Sequence, residues 1–212
     1  MRKKAKRCLN LFVWQAGGSQ GLRPAAMVRI WNAYCRPLLE YGAELWEGEI
    51  SSNAAAKLEQ LQTRFLKASL GLSASVALAG LRAEVPVATL QSRRHTLKLL
   101  YWNKLCSAGT TRLLSRIFTQ RHAQVLAGGA PLSALRPMMA CLQRFGFGDE
   151  WRSASTGGRS IDDWGTEVRA SVRADLDASE QAAITSSPSL SLFARLLSLR
   201  KDTMSVPLDL SD

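Results

Sequence analysis

The chain has 212 residues, a formal charge of +11 and 46% hydrophobic residues, which argues against a disordered polar tail and suits one ordinary domain or two small ones. Its four cysteines lie far apart with no Cys-x-x-Cys, which argues against a disulfide scaffold or a zinc finger and for a reducing compartment. No run approaches the roughly 18 apolar residues of a membrane span, so a soluble protein with no membrane partner is expected.

Taken in chain order, the elements read almost entirely as helices. The opening MRKKAKRCLNLF is basic, and its apolar stretch is short and interrupted by Asn10, which fits an amphipathic helix better than a secretory core. Behind Pro24, the residues Met27, Ile30, Trp31, Tyr34, Leu38, Tyr41 and Leu45 recur at helical spacing. Pro37 falls inside that helix, and a kink near Ala33 to Pro37 is expected because proline lacks a backbone donor and crowds the preceding turn. Ser51 or Ser52 then caps a helix with the stripe Leu58, Leu61, Phe65, Leu66 and Leu70, stopped by Gly71. Residues 74 to 83 read as a short helix.

Pro86 is expected to open a long helix with Val87, Leu90, Leu97, Leu100, Tyr101 and Leu105 inward and Arg93, Arg94, Lys98 and Lys104 outward. Weaker helices follow near 110 to 121 and 131 to 145. The Gly/Ser-rich GFGDEWRSASTGGR reads as a loop and a boundary. Beyond Ser160, Ile161, Trp164, Val168, Val172 and Leu176 predict another helix, and Leu190 to Leu199 a last one. No segment alternates with period two. The expected fold is all-α, an irregular bundle of about seven to nine helices. It divides into a basic helical domain over 1–148, a linker over 149–159 and a small helical segment over 160–212, with room for two subdomains.

Charge is segregated along this order. Residues 1–39 hold eight Lys/Arg and no acid, and residues 85–148 hold nine and no acid, whereas 40–84 and 149–212 sum to −2 and −4. Such acid-free stretches predict a basic surface for a polyanion, since phosphate neutralisation supplies most sequence-independent nucleic-acid affinity. Solvation of helix faces is the alternative reading. Catalytic and metal sites are not expected. Asp162 and Asp163 are adjacent at the start of a helix, where negative charge suits the macrodipole, rather than converging from separate segments. His95 and His122 have no acid partner nearby in sequence, and His95 reads as a surface residue or phosphate contact. No cofactor and no small-molecule substrate are expected, because the glycine pairs lack the flanking residues of a phosphate-binding loop.

Three ordered segments, YCRPLLEYGAELW, LEQLQTRFLKASLGL and AEVPVATLQSRRHTLKLLYWNKL, resemble the region after the polymerase core in reverse transcriptases of non-long-terminal-repeat (LINE-like) retrotransposons. The matching positions are Arg36, Pro37, Tyr41, Gly42, Glu44 and Trp46, then Leu58, Glu59, Gln62, Phe65, Leu66, Leu70 and Gly71, then Glu84, Arg93, Arg94 and Trp102. The likeness is firm from about residue 22 to 118, looser in KAKRCLNLF, and thin after 160, where SLSLFARL resembles the stretch before the family's Cys/His knuckle. The Tyr/Phe-x-Asp-Asp polymerase motif is expected upstream of Met1 and the knuckle beyond Asp212, so polymerase activity is not carried over.

The resemblance implies a helical thumb and following linker, which grips a template-primer duplex. It implies RNA, DNA or hybrid as partner through backbone contacts, a polymerase core in cis or in trans, and a nuclear or cytoplasmic location. Lys3, Lys4, Lys6 and Arg7, Arg64 and Lys67, and above all Arg93, Arg94 and Lys98 are the expected phosphate contacts. Trp31, Tyr41, Trp46 and Trp102 read as core residues before stacking platforms, and Pro37 with Gly42 as a packing joint. A helical interaction module, or an inactive remnant, is the competing reading.

Overall fold

Spacing of four residues governs the first third of the molecule. In the computed structural model, which describes residues 7, 24–84, 87–108, 112–129, 135–153 and 159–190, helix α1 (Pro24–Ile30) passes through a π-helical turn (Trp31–Cys35) into α2 (Arg36–Glu40). Met27, Trp31, Cys35, Leu39, Ala43 and Glu47 are all buried, each four residues after the last. In a regular α-helix that spacing would drift by about 40° per step. Two interruptions take up the drift.

The first is the wide turn, in which the Arg36 N–H bonds the Trp31 carbonyl. It stands directly before Pro37, which has no N–H to give to Ala33, so the expected disturbance near 33–37 takes this form. The second is Gly42, with φ +68°, which breaks the chain into the short α3 (Ala43–Trp46). A Cβ there would meet nothing nearer than the Trp46 ring at 3.8 Å, so glycine is required by the backbone angle and not by space. Because both breaks rotate the following turns, the expected inward stripe is wrong beyond Trp31. Tyr34, Leu38, Tyr41 and Leu45 are exposed.

Helix α4 (Ser52–Ser69) starts where the Ser51 hydroxyl accepts the Ala54 N–H. It ends at Gly71, where Leu72 N–H reaches Lys67 O and Gly71 N–H reaches Ala68 O, the paired bonds of a left-handed glycine cap. After α5 (Leu78–Glu84), the long α6 runs Leu90–Ser107. Its cap is Thr89, whose hydroxyl accepts the Ser92 N–H, so the helix opens after the proline turn and not at Pro86 as expected. Helices α7 (Leu113–Leu126), α8 (Leu135–Arg144), α9 (Gly148–Ser153) and α10 (Ile161–Ser186) follow, with a 3-10 turn at Pro188–Leu190. Among the described residues there is no strand; the fold is all-α. The helix expected over Leu190 to Leu199 lies, apart from Leu190, outside the described residues.

Two apolar clusters form. Met27, Trp31, Leu39, Phe65, Leu66, Leu81 and Leu90 make the N-terminal one. Leu99, Trp102, Phe118, Met138, Leu142, Trp151, Trp164, Val168 and Val172 belong to the other. Helix α6 belongs to both. The segment expected to follow a linker is part of the second cluster: Trp164 Nε1 donates to Leu99 O at 2.8 Å, and Asn103 exchanges two hydrogen bonds with the Arg159 backbone. The expected boundary at 149–159 therefore does not divide the core, because α9 and α10 supply Trp151, Trp164 and Val168 to it. Cys35 and Cys141 are buried and Cys106 is half-buried, all free thiols, and burial pushes both Cys106 and Cys141 up to about 12. Cys8 lies outside the described residues. No helix among those residues is long and apolar enough to cross a membrane.

Candidate nucleic-acid interface

The segments that carry the family resemblance meet at the first half of α6. Glu40, at the end of α2, receives Arg93 Nε at 2.6 Å and Arg93 NH2 at 3.3 Å. Glu47, just after α3, receives Arg94 Nε at 2.6 Å and lies 3.4 Å from His95 Nε2. Lys98 Nζ donates to the carbonyls of Glu47 at 2.6 Å and Glu44 at 3.4 Å, at the C-terminal end of α3 where a cation suits the free carbonyls. Glu59, from α4, accepts the Gln91 N–H at 2.7 Å in the first turn of α6 and Arg82 at 3.1 Å. Gln62 donates to Ala88 O at 2.9 Å.

This arrangement corrects the outward placement of the Arg93, Arg94 and Lys98 cluster. Arg94 and Lys98 are each 1% exposed, and Arg93 is half-buried on Glu40. Helix α6 is covered on the Arg94 side by the 40–47 segment, whose two carboxylates and two carbonyls compensate the cations that α6 brings. The terminal nitrogens of Arg94 make no hydrogen bond; Glu59 at 3.9 Å and the face of Trp46, 5.6 Å away, are the groups beside them. Burial alone would push the Glu47 carboxyl up, but the hydrogen bonds from His95 and Arg94 outweigh it and hold it below its ordinary range. Burial pushes the Lys98 ammonium down. His95 is likewise interior, against the Phe145 ring at 5.2 Å, and not a surface residue.

The other expected contacts divide three ways. Lys3, Lys4 and Lys6 lie outside the described residues. Arg7 and Arg64 are helical and exposed. Lys67 is tied down, donating to Ala74 O at 2.6 Å. Trp31 and Trp102 are core residues as expected, Trp46 is half-buried with its Nε1 on Tyr41 O, and Tyr41 is on the surface. His122 is buried among Trp102, Phe118 and Trp151, with Nε2 2.7 Å from Trp151 O. Burial pushes its imidazole below the ordinary value, against the opposing effect of that carbonyl. Asp162 and Asp163 occupy the exposed first turn of α10.

Surface cations that the sequence reading did not single out remain. Lys104, Arg112, Arg116, Arg121 and Arg136, all from the second acid-free stretch, are exposed. Among the described residues, no carboxylate comes within ion-pair distance of them. Arg112, Arg116 and Arg121 lie on or just before α7 beside exposed Leu113, Leu114 and Ile117. A sequence signal for them existed, since they have no acid within helical reach, whereas Arg93 and Arg94 gave the same local signal and are paired at long range. Compared with protein-family models, curated proteins and solved structures, the chain finds no match.

Proposed function

We propose that the chain is a non-catalytic, nucleic-acid-binding helical segment resembling the thumb region of a LINE-like reverse transcriptase, which holds RNA, DNA or hybrid by the backbone. One observation carries the reading. Glu40, Glu47 and Glu59 are turned inward onto Arg82, Arg93, Arg94 and His95, so the acids of the N-terminal half do not offset the outward cations. What faces solvent on α4 and α7 is Arg64, Arg112, Arg116 and Arg121. Guanidinium groups displayed in this way bind phosphates without reading bases. The three ordered sequence segments support the same reading, and the core that such a thumb serves would be supplied in cis or in trans.

The test is fluorescence anisotropy with a short RNA/DNA hybrid, titrated across salt, beside an Arg112/Arg116/Arg121→Gln triple variant. A log–log salt slope near −0.9 for each phosphate neutralised, flattened by about two to three such steps in the variant, is expected. No binding at low salt by folded protein would sink the proposal. A second reading has its own observation: Tyr34, Tyr41 and Leu45 are each more than 60% exposed, an apolar stripe suited to a helical protein partner. Association through it would be nearly insensitive to salt.

A further inference from the structure

A cavity of about 410 Å³ lies between the start of α6, the wide turn entering α2, and α10. Four guanidinium groups line it: Arg36, Arg93, Arg169 and Arg173. Val87, Val172 and Leu176 supply an apolar wall. The volume is within the usual range of small-molecule pockets and exceeds what a single inorganic anion needs. Two carboxylates reach the arginines, Glu40 on Arg93 and Arg36, and Asp177 on Arg173 at 3.4 Å; Glu180 lies further along α10. Among the described residues, Arg169 has no carboxylate within ion-pair distance. Arg36 donates to Asn32 at 3.0 Å, while its Nε is buried without a hydrogen-bond partner and 3.7 Å from Glu40.

We propose that this cavity binds a phosphomonoester, either the 5′-phosphate at the end of a nucleic-acid strand or that of a free nucleotide, with the arginines on the phosphate and the apolar wall beside the rest of the nucleotide. The charge balance selects this group. Four guanidinium ions against the two carboxylates paired with them leave about two positive charges, which match the −1.5 to −2 of a phosphomonoester at neutral pH better than the single charge of an internal phosphodiester. Guanidinium forks also fit phosphate oxygens two at a time. Burial, then the neighbouring charge of Arg93, pushes the Arg36 guanidinium below its ordinary value despite Glu40, so an added anion would relieve a repulsion the chain itself leaves in place. The site stands apart from the α7 cations and does not rest on backbone binding there.

Calorimetry on the full chain at one ionic strength tests it, with adenosine, adenosine 5′-monophosphate, and one RNA pentamer carrying either a 5′-phosphate or a 5′-hydroxyl. The phosphate is expected to raise affinity by at least about tenfold in both pairs, as charge-assisted hydrogen bonds do. Arg169→Gln, on the exposed side of α10, and Arg36→Gln should each remove most of that increase. Arg169→Gln should leave the melting curve unchanged, so the test survives if Arg36→Gln fails to fold. A phosphorylated pentamer that binds tighter than the mononucleotide identifies a strand end as the ligand; equal binding identifies the free nucleotide. Equal affinity with and without the phosphate, or an increase undiminished in Arg169→Gln, overturns the proposal. Salt-dependent binding of the 5′-hydroxyl pentamer bears on the backbone reading alone.

Discussion

The first half of α6 buries Ser92, Arg94 and Lys98, while its second half buries Leu99, Trp102 and Leu105. Both halves are equally shielded from water, yet opposite chemistry holds them. The apolar half gains from burial itself, about 1.5–3 kcal/mol for each large side chain fully removed from water. The charged half gains little net, because desolvation offsets most of the attraction within a buried ion pair. What the charged half adds is discrimination: only a segment offering carboxylates and free carbonyls at the spacing of Glu40, Glu44 and Glu47 can cover it. Segment 36–47 is therefore a joint that α6 recognises by charge.

Breaking one partner of the charged half should give the largest effect. Arg94→Ala leaves Glu47 buried and uncompensated and is expected to cost about 3–5 kcal/mol in denaturant unfolding. The double variant Glu47→Gln with Arg94→Met should recover much of that loss; a double variant as unstable as the sum of its singles would refute the charged joint. In the apolar half, Leu99→Ala should cost about 2–5 kcal/mol, with no partner able to rescue it.

Acid separates the halves in a different way. His122, packed on Trp102 beside the apolar half, has a folded pKa below its ordinary 6.5, so its contribution is complete above that value and is lost as the pH falls through the folded one. Glu47 has a folded pKa below its ordinary 4.5, so its contribution persists to lower pH and is lost as the pH falls through the folded value. Two windows are expected in a stability-against-pH profile, the upper one removed by His122→Gln and the lower one by Glu47→Gln. A single window would show that the two halves unfold on one titration.

Smaller effects complete the series. Thr89→Ala removes the cap of α6 and should cost about 1 kcal/mol. Lys104→Ala, on the exposed face of the same helix, should stay within about 0.5 kcal/mol of the parent.

The helices of this fold were legible where local chemistry is decisive. Ser51 and Gly71 bound α4 as read, since a hydroxyl cap and a left-handed glycine act within a few residues. The disturbance at Pro37 was legible for the same reason. Which face each helix buries was less so. The Tyr34, Leu38, Tyr41 and Leu45 stripe looked as apolar as any other, but the wide turn and the left-handed Gly42 rotated it to the surface. Arg93, Arg94 and Lys98 looked like a solvated or phosphate-facing row because the acids that pair with them stand 47 to 53 residues earlier. The α7 cations are locally just as basic, and no such partner reaches them.

Sequence alone thus determined the all-α class, the caps and most helix positions, because hydrogen-bond and propensity effects are settled within one or two turns. Only the tertiary structure decided which cations are internal bolts and which face solvent, and which four arginines surround one cavity. The physical reason is that a charge's environment is set by whatever packs against it, and those neighbours come from distant parts of the chain.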